Sequence, residues 1–174
     1  MSTCASGTPS DARVVVPGTF DPVTRGHLDV IRRARGLFAG VTVAVAVSAN
    51  KNGRGTAFTL EERCDMIAEA MRYEGLPGDI EVVPFEGLLV DFCHERGAVG
   101  IVKGLRAMTD FEYELQQANL NGRLDPEIES VFVMSSPEFG YVSSSVVREI
   151  AAMGSDVGFL VTPNVEACLR EHYA

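Results

Sequence analysis

Residues 14–30 read VVVPGTFDPVTRGHLDV, and this stretch decides the fold. The β-branched run Val14, Val15, Val16 predicts a buried strand, Pro17 and Gly18 break it, and a helical pattern begins near Gly26 and His27. A helix N-terminus presents free N–H groups, so a glycine-bearing turn that leads into one suits an anion such as a phosphate. The same residues also read as an ordinary strand-to-helix turn, with Thr19 a turn residue and His27 a cap. The rest of the chain has to decide between the two.

Working outward, Leu28, Ile31, Ala34, Leu37 and Phe38 recur at near-helical spacing, and Gly40 follows as the stop. Residues 41–47 (VTVAVAV) form an almost continuously apolar strand of the kind covered on both faces. Residues 48–57 (SANKNGRGTA) make a long polar loop carrying Lys51 and Arg54. Thr59 and Glu62 have capping-box spacing and open a helix over 60–73. Further strands are predicted at 80–85, 99–102 and 130–134, and further helices at 88–96 and 111–122. Another helix is entered through Ser143, Ser144 and Ser145 and closed by Gly154, and a last one is capped by Asn164 and runs to 171. Strands alternating with helices imply right-handed crossovers and hence an α/β, doubly wound domain with a five-stranded parallel sheet flanked by helices. Ligands of such sheets bind beyond the strand C-termini where strand order reverses, and the loops after strands one, four and five are the unusual ones here. We expect one domain over 14–174, with 1–13 a polar extension outside the fold.

The chain has 174 residues and a formal charge of −9, which argues against nucleic acid or an anionic membrane as a general partner while leaving room for a local basic pocket. No apolar run approaches the roughly 18 residues of a membrane span, and the first segment lacks the apolar core of a secretory signal. Cys4, Cys64, Cys93 and Cys168 are scattered without C-x-x-C or ligand-spaced histidines, so reduced thiols in a cytoplasmic protein are expected and no protein-held metal site is.

Lys103 and Arg106 stand three apart, delivered with Gly104 and Leu105 into a loop directly after a buried strand, where two cations are costly unless an anion arrives. Pairing with Asp110 or Glu112 is the plainer account. N-capping would occupy one of the three serines, whereas three in succession fit a second phosphate-binding helix start. Glu114 either accepts hydrogen bonds from a nucleotide base or ribose or is a solvated helical glutamate. No paired carboxylates and no Ser-His-Asp set are evident.

Four segments in order, P-G-T-F-D-P-V-T-R-G-H, K-N-G with F-T-L-E-E-R, V-K-G-L-R-A-M-T-D-F-E-Y-E and V-S-S-S-x-x-R-E, resemble the phosphopantetheine adenylyltransferase family of the T/HxGH nucleotidyltransferases. The resemblance runs from Val14 to the C-terminus. It implies a Rossmann-like domain that joins the adenylyl group of ATP to 4′-phosphopantetheine with Mg2+, giving dephospho-coenzyme A and pyrophosphate, in a homohexamer. It also implies the site residues. His27 would stabilise the transition state, with Lys51 and Arg106 also catalytic, and Thr19 and Lys51 would meet the acceptor phosphate. Thr19, Phe20, Gly104, Leu105, Arg106 and Glu114 would line the ATP site, and Phe139, Gly140, Tyr141, Val142 and the three serines would close over ATP. Leu88, Leu89 and Asn121 would receive the pantetheine arm. Lys103 stands where the family often has arginine, keeping the charge for the substrate but losing the bidentate fork, and Phe139 replaces a bulkier aromatic. Two competing functions are adenylylation of nicotinate mononucleotide, or activation of a polar head group with CTP, and a non-catalytic nucleotide-binding module on the same fold. The last would be marked by loss of the histidine or the cations, and all are present.

Overall fold

A computed structural model of the chain describes residues 10–47, 55–106 and 108–174. In chain order the elements are β1 (Ser10–Gly18), α1 (Arg25–Leu37), β2 (Phe38–Ala46), α2 (Leu60–Tyr73), β3 (Glu81–Phe85), α3 (Leu89–Glu95), β4 (Gly100–Leu105), α4 (Met108–Leu124), β5 (Glu129–Met134), a 3-10 turn (Pro137–Phe139), α5 (Ser144–Ala152) and α6 (Pro163–His172). The five strands are parallel in the order β3-β2-β1-β4-β5. The order therefore reverses between β1 and β4, and the fold is the doubly wound, Rossmann-like α/β sheet that the sequence predicts.

Side chains alternate across the sheet, and β1 shows how this makes two cores. Val14 and Val16 join a cluster with Leu28 and Ile31 of α1, Ile67 of α2, Val147 of α5 and Leu169 of α6, whereas Val15 joins Val90 and Cys93 of α3, Ile101 and Ile128. Both α1 and α2 begin with reciprocal caps. Thr59 and Glu62 form the expected box at α2, and Thr24 and His27 form another at α1, with an imidazole where the motif usually has Glu or Gln.

Several boundaries differ from expectation, each for a local reason. The first strand starts at Ser10, which pairs with Phe38 of β2, so 10–13 belong to the sheet rather than to an extension. No turn separates α1 from β2, and Gly40 lies inside β2 instead of ending the helix; a Cβ there would meet Arg13 Cγ at 2.6 Å. Strand β4 runs on past its apolar run because Lys103, Gly104 and Leu105 pair with Phe132, Val133 and Met134, so these three residues are strand rather than loop. Asn164 does not cap α6. Thr162 is the N-cap and Pro163 takes the first turn, where its missing N–H costs nothing, while the Asn164 amide donates to the Met66 carbonyl at 3.1 Å.

Candidate active site

The switch point between β1 and β4 opens into a cavity of about 950 Å³. Its walls come from the end of β1 and the turn into α1 (Gly18, Thr19, Phe20, His27), the end of β4 (Lys103, Gly104, Arg106), Glu114 of α4, and the start of α5 (Val142, Ser143, Ser144, Ser145). Three loops that the sequence places apart thus share one crevice.

The first wall is built around His27. The Thr24 N–H donates to Nδ1 at 3.0 Å, and the His27 N–H donates back to Thr24 Oγ1 at 3.4 Å. A nitrogen that accepts cannot carry the hydrogen, so the network assigns the Nε2–H tautomer. Among the described residues no group accepts from that Nε2–H. Burial, followed by the nearby Arg106 charge, pushes the His27 pKa down to about 4. The ring is therefore a neutral donor at pH 7. The Phe20 ring stands edge-on to it, centroids 5.0 Å apart, and Phe20 itself is buried with φ +49. That left-handed backbone is strained for a side chain of this size and calls for supports on either side.

Asp21 supplies one support. This buried carboxylate accepts from the Ala57 and Phe58 N–H groups at 2.9 and 3.0 Å, and Arg148, which also lines the cavity, pairs with it at 3.2 Å. The wall from β4 depends on glycine: a Cβ on Gly104 would lie 2.5 Å from Val30 Cγ2, so only glycine lets α1 pack over the strand end. Lys103 Nζ lies 3.3 Å from Glu114 Oε2, and the Arg106 guanidinium donates to the Val142 carbonyl at 2.7 Å. Ser143 caps α5, accepting from the Val146 N–H at 3.2 Å, and its hydroxyl lies 3.0 Å from that of Ser145; the Ser144 hydroxyl donates to the Pro22 carbonyl at 2.8 Å.

The other predicted site residues stand as follows. Lys51 lies outside the described residues. Leu105 is buried at the end of β4, and Phe139 packs against α1, its Cβ 3.4 Å from where one on Gly26 would be; Gly140 and exposed Tyr141 adjoin it outside the cavity wall. Leu88 is exposed beside the start of α3 and Leu89 packs on the smaller core, both beyond the C-terminal end of β3. Asn121 is on α4, about 10 Å along the axis from Glu114 by helical rise.

Asp21, Asp29, Arg63 and Arg148 were not singled out from sequence. Three of them stand inside quoted motifs, but what gives them a role is a partner 17 to 127 residues away. Asp29 accepts from the Ser136 N–H at 3.0 Å and from Arg33 Nε at 3.1 Å, tying α1 to the segment after β5. Burial raises its pKa, but the Ser136 N–H and hydroxyl and the Arg33 guanidinium outweigh that and hold it below the ordinary carboxylate value. A depressed carboxylate stabilises the fold fully above its unfolded pKa and loses that contribution as pH falls through the folded one. Asp29→Asn should therefore cost roughly 1.5–3 kcal/mol at pH 7 in denaturant titrations, the scale for hydrogen bonds to a charge. The difference from wild type should close as the pH falls below about 4.

The family model described as cytidylyltransferase-like matches residues 15–150, and the chain belongs to that nucleotidyltransferase family. A phosphopantetheine adenylyltransferase from Frankia alni is 47% identical over 160 residues, covering 91% of this chain and 96% of that protein. That degree of identity places the chain among the phosphopantetheine adenylyltransferases. Its fold recurs in a putative nicotinate-nucleotide adenylyltransferase from Vibrio parahaemolyticus, with TM-score 0.69, 16% identity and coverage of 94% of this chain and 95% of that one. It recurs also in a lipopolysaccharide core biosynthesis protein from Thermoplasma volcanium, with TM-score 0.52, 23% identity and coverage of 72% and 96%.

Proposed function

We propose that the chain joins the adenylyl group of ATP to 4′-phosphopantetheine, giving dephospho-coenzyme A and pyrophosphate. The observation that carries this reading is 47% identity, over 91% of the chain, to a phosphopantetheine adenylyltransferase, together with a cavity that gathers the T-F, G-H, K-G-L-R and S-S-S segments. An oxygen of the acceptor phosphate attacks the α-phosphorus of ATP, and the bond to the β-phosphate oxygen breaks, its electron pair leaving with pyrophosphate. That oxygen is already ionised, so no side chain has to remove a proton. The remaining work is alignment of two anions and stabilisation of charge on the transferring group.

His27 Nε2–H then donates to the α-phosphate as charge builds, and Arg106 and the N-terminus of α5 hold the departing phosphates. Thr19 and Lys51 hold the acceptor phosphate, Lys103 adds charge beside it, and Glu114 fixes Lys103 as well as facing the nucleotide. The pantetheine arm leaves along the C-terminal edge of the sheet, where Leu88 and Leu89 follow β3, toward Asn121.

Magnesium enters with ATP as part of the substrate. Of the cavity carboxylates, Asp21 is committed to two N–H groups and Arg148, and Glu114 is paired with Lys103, so the described residues of the cavity wall offer no carboxylate cage. Such a donor set suits an ion carried mainly by substrate phosphates, where it neutralises pyrophosphate charge. Among the described residues the one group with metal-ligand spacing, His94, Asp125 and Glu127, is not part of the cavity wall.

We further infer that β1 to α6 act as a single nucleotidyltransferase domain, and that copies assemble into a homohexamer. Leu120 and Leu124 of α4 and Met134 of edge strand β5 are all more than half exposed, and a groove of mixed character, lined by Leu115, Ile128 and Phe132 together with Arg123 and Glu129, lies between the same elements. Burial of such a surface favours association. The free thiols of Cys64, Cys93 and Cys168 suit the cytoplasm, and no described helix is long and apolar enough to cross a membrane.

Pyrophosphate release tests the reaction. With MgATP it should be rapid with 4′-phosphopantetheine and weak with pantetheine or nicotinate mononucleotide. Comparable release with nicotinate mononucleotide would contradict the reading.

A further inference from the structure

Arg63, the last residue of the F-T-L-E-E-R segment, is 2% exposed on α2 and is not part of the cavity wall. Its Nη1 donates to the Thr19 carbonyl at 2.6 Å and to the Ala46 carbonyl at 3.0 Å. Its Nε is buried without a hydrogen-bond partner, and no carboxylate pairs with it among the described residues. A buried guanidinium with one unsatisfied N–H and no counter-ion is an expensive way to fill space, which a methionine or leucine would do at lower cost. Its contacts, rather than its volume, account for its place.

Those contacts are specific. The Thr19 carbonyl belongs to the peptide immediately before Phe20, whose φ of +49 needs support from its surroundings. The Ala46 carbonyl closes β2, the strand that leads into the segment bearing Lys51. One nitrogen therefore sets the spacing between two strand ends, each leading to a group read above as holding the acceptor phosphate. Asp21, which accepts from the Ala57 and Phe58 N–H groups, ties the turn after β1 to the residues just before α2. Of the walls read as meeting ATP, those from β4 and α5 receive no hydrogen bond from Arg63.

We propose that Arg63 is a positioning residue for the acceptor half of the site: it locks Thr19 and the end of β2 at the separation the acceptor phosphate requires, and bonds to neither the β4 nor the α5 wall that holds the phosphates of ATP. The proposal rests on the phosphopantetheine reading above. Its mark is a split between substrates that a loss of packing alone would not produce.

The experiment is steady-state kinetics of wild type, Arg63→Met and Arg63→Lys, with each substrate varied at saturating levels of the other, alongside melting temperatures. Arg63→Met should raise KM for 4′-phosphopantetheine about tenfold and lower kcat about tenfold, as misplacement of a reacting group does, with KM for ATP changing less than about twofold. Arg63→Lys keeps a donor that can reach both carbonyls and should recover at least about a third of the lost kcat/KM for the acceptor. Should Arg63→Met fail to fold, Arg63→Lys against wild type reads the same split at smaller amplitude. Equal rises in both KM values, or a lowered melting temperature with unchanged kinetics, would overturn the assignment alone. A wild-type protein that does not turn over 4′-phosphopantetheine would overturn the functional reading, and this assignment with it.

Discussion

Replacing His27 with alanine is expected to lower kcat by at least about a hundredfold, while the Kd for ATP changes less than about threefold. The expectation follows from the tautomer. With Nδ1 accepting from the Thr24 N–H, the one hydrogen of the neutral ring sits on Nε2, on a side chain that lines the cavity. A donor aimed at charge that develops only in the transition state contributes little to ground-state binding, and losing one typically costs about 2.7–4 kcal/mol of barrier. Alanine also deprives the Thr24 N–H of its acceptor and so weakens the α1 cap by about 0.5–2 kcal/mol, which a melting curve would register. Glutamate separates the two effects. At the same position of a capping box a carboxylate accepts from the cap N–H as well as imidazole does, so His27→Glu should melt close to wild type yet lose at least as much kcat as alanine, because it offers the phosphate an acceptor in place of a donor. Stability and rate would then part company at one side chain.

The second large effect is expected at Arg106. Its guanidinium both faces the cavity and donates to the Val142 carbonyl at 2.7 Å, holding the turn that leads into Ser143 and the N-terminus of α5. On the proposed reading, Arg106→Ala would remove a cation from the triphosphate and release that turn, so kcat/KM for ATP should fall by about a hundredfold or more, on the scale of a charge-assisted hydrogen bond to developing charge. Here, unlike at His27, ATP binding should weaken along with kcat. Arg106→Lys restores the charge as a point and cannot serve carbonyl and phosphate with a planar fork, so its activity should fall between the two. Calorimetric titration with ATP and steady-state kinetics together would show the contrast.

Acidity provides a third contrast. An imidazole whose pKa is lowered to about 4 stays neutral in the free enzyme throughout the range in which an ordinary histidine titrates, so kcat/KM for ATP should show no histidine step between pH 5 and 8. A phosphate monoester with a second pKa near 6 gains a proton within that range, so kcat/KM for the acceptor should fall as pH drops through about 6.

The α2 boundaries were legible because they are written locally: Thr59 and Glu62 fix its start in adjacent turns of chain. The ends of β2 and β4 were not. Phe38 passes directly from helix to strand with no turn residue to mark the change, and Lys103 and Gly104 stay in the sheet only because β5 offers partners, which no local apolar pattern records. The same division holds in the site. Residues of the turn, of K-G-L-R and of the serine run were named from sequence for their own side chains, and most of them line the cavity. Asp21, Asp29 and Arg63 act through partners that only the fold brings near, as Ser136 comes to Asp29 across 107 residues. A buried arginine on a helix otherwise reads as a surface charge, and nothing in its neighbourhood of sequence says that two strand ends close over it.

The central mechanistic claim is that His27 stabilises charge as a neutral Nε2–H donor and moves no proton. The nitrogen-15 NMR spectrum of histidine-labelled protein tests it directly, with His27 resolved from His94 and His172 by the His27→Glu variant. We predict that from pH 5 to 8 the His27 Nε2 resonance remains that of a protonated nitrogen and Nδ1 that of an unprotonated one. A His27 signal that titrates near 6.5, or one that carries its hydrogen on Nδ1, would contradict the claim.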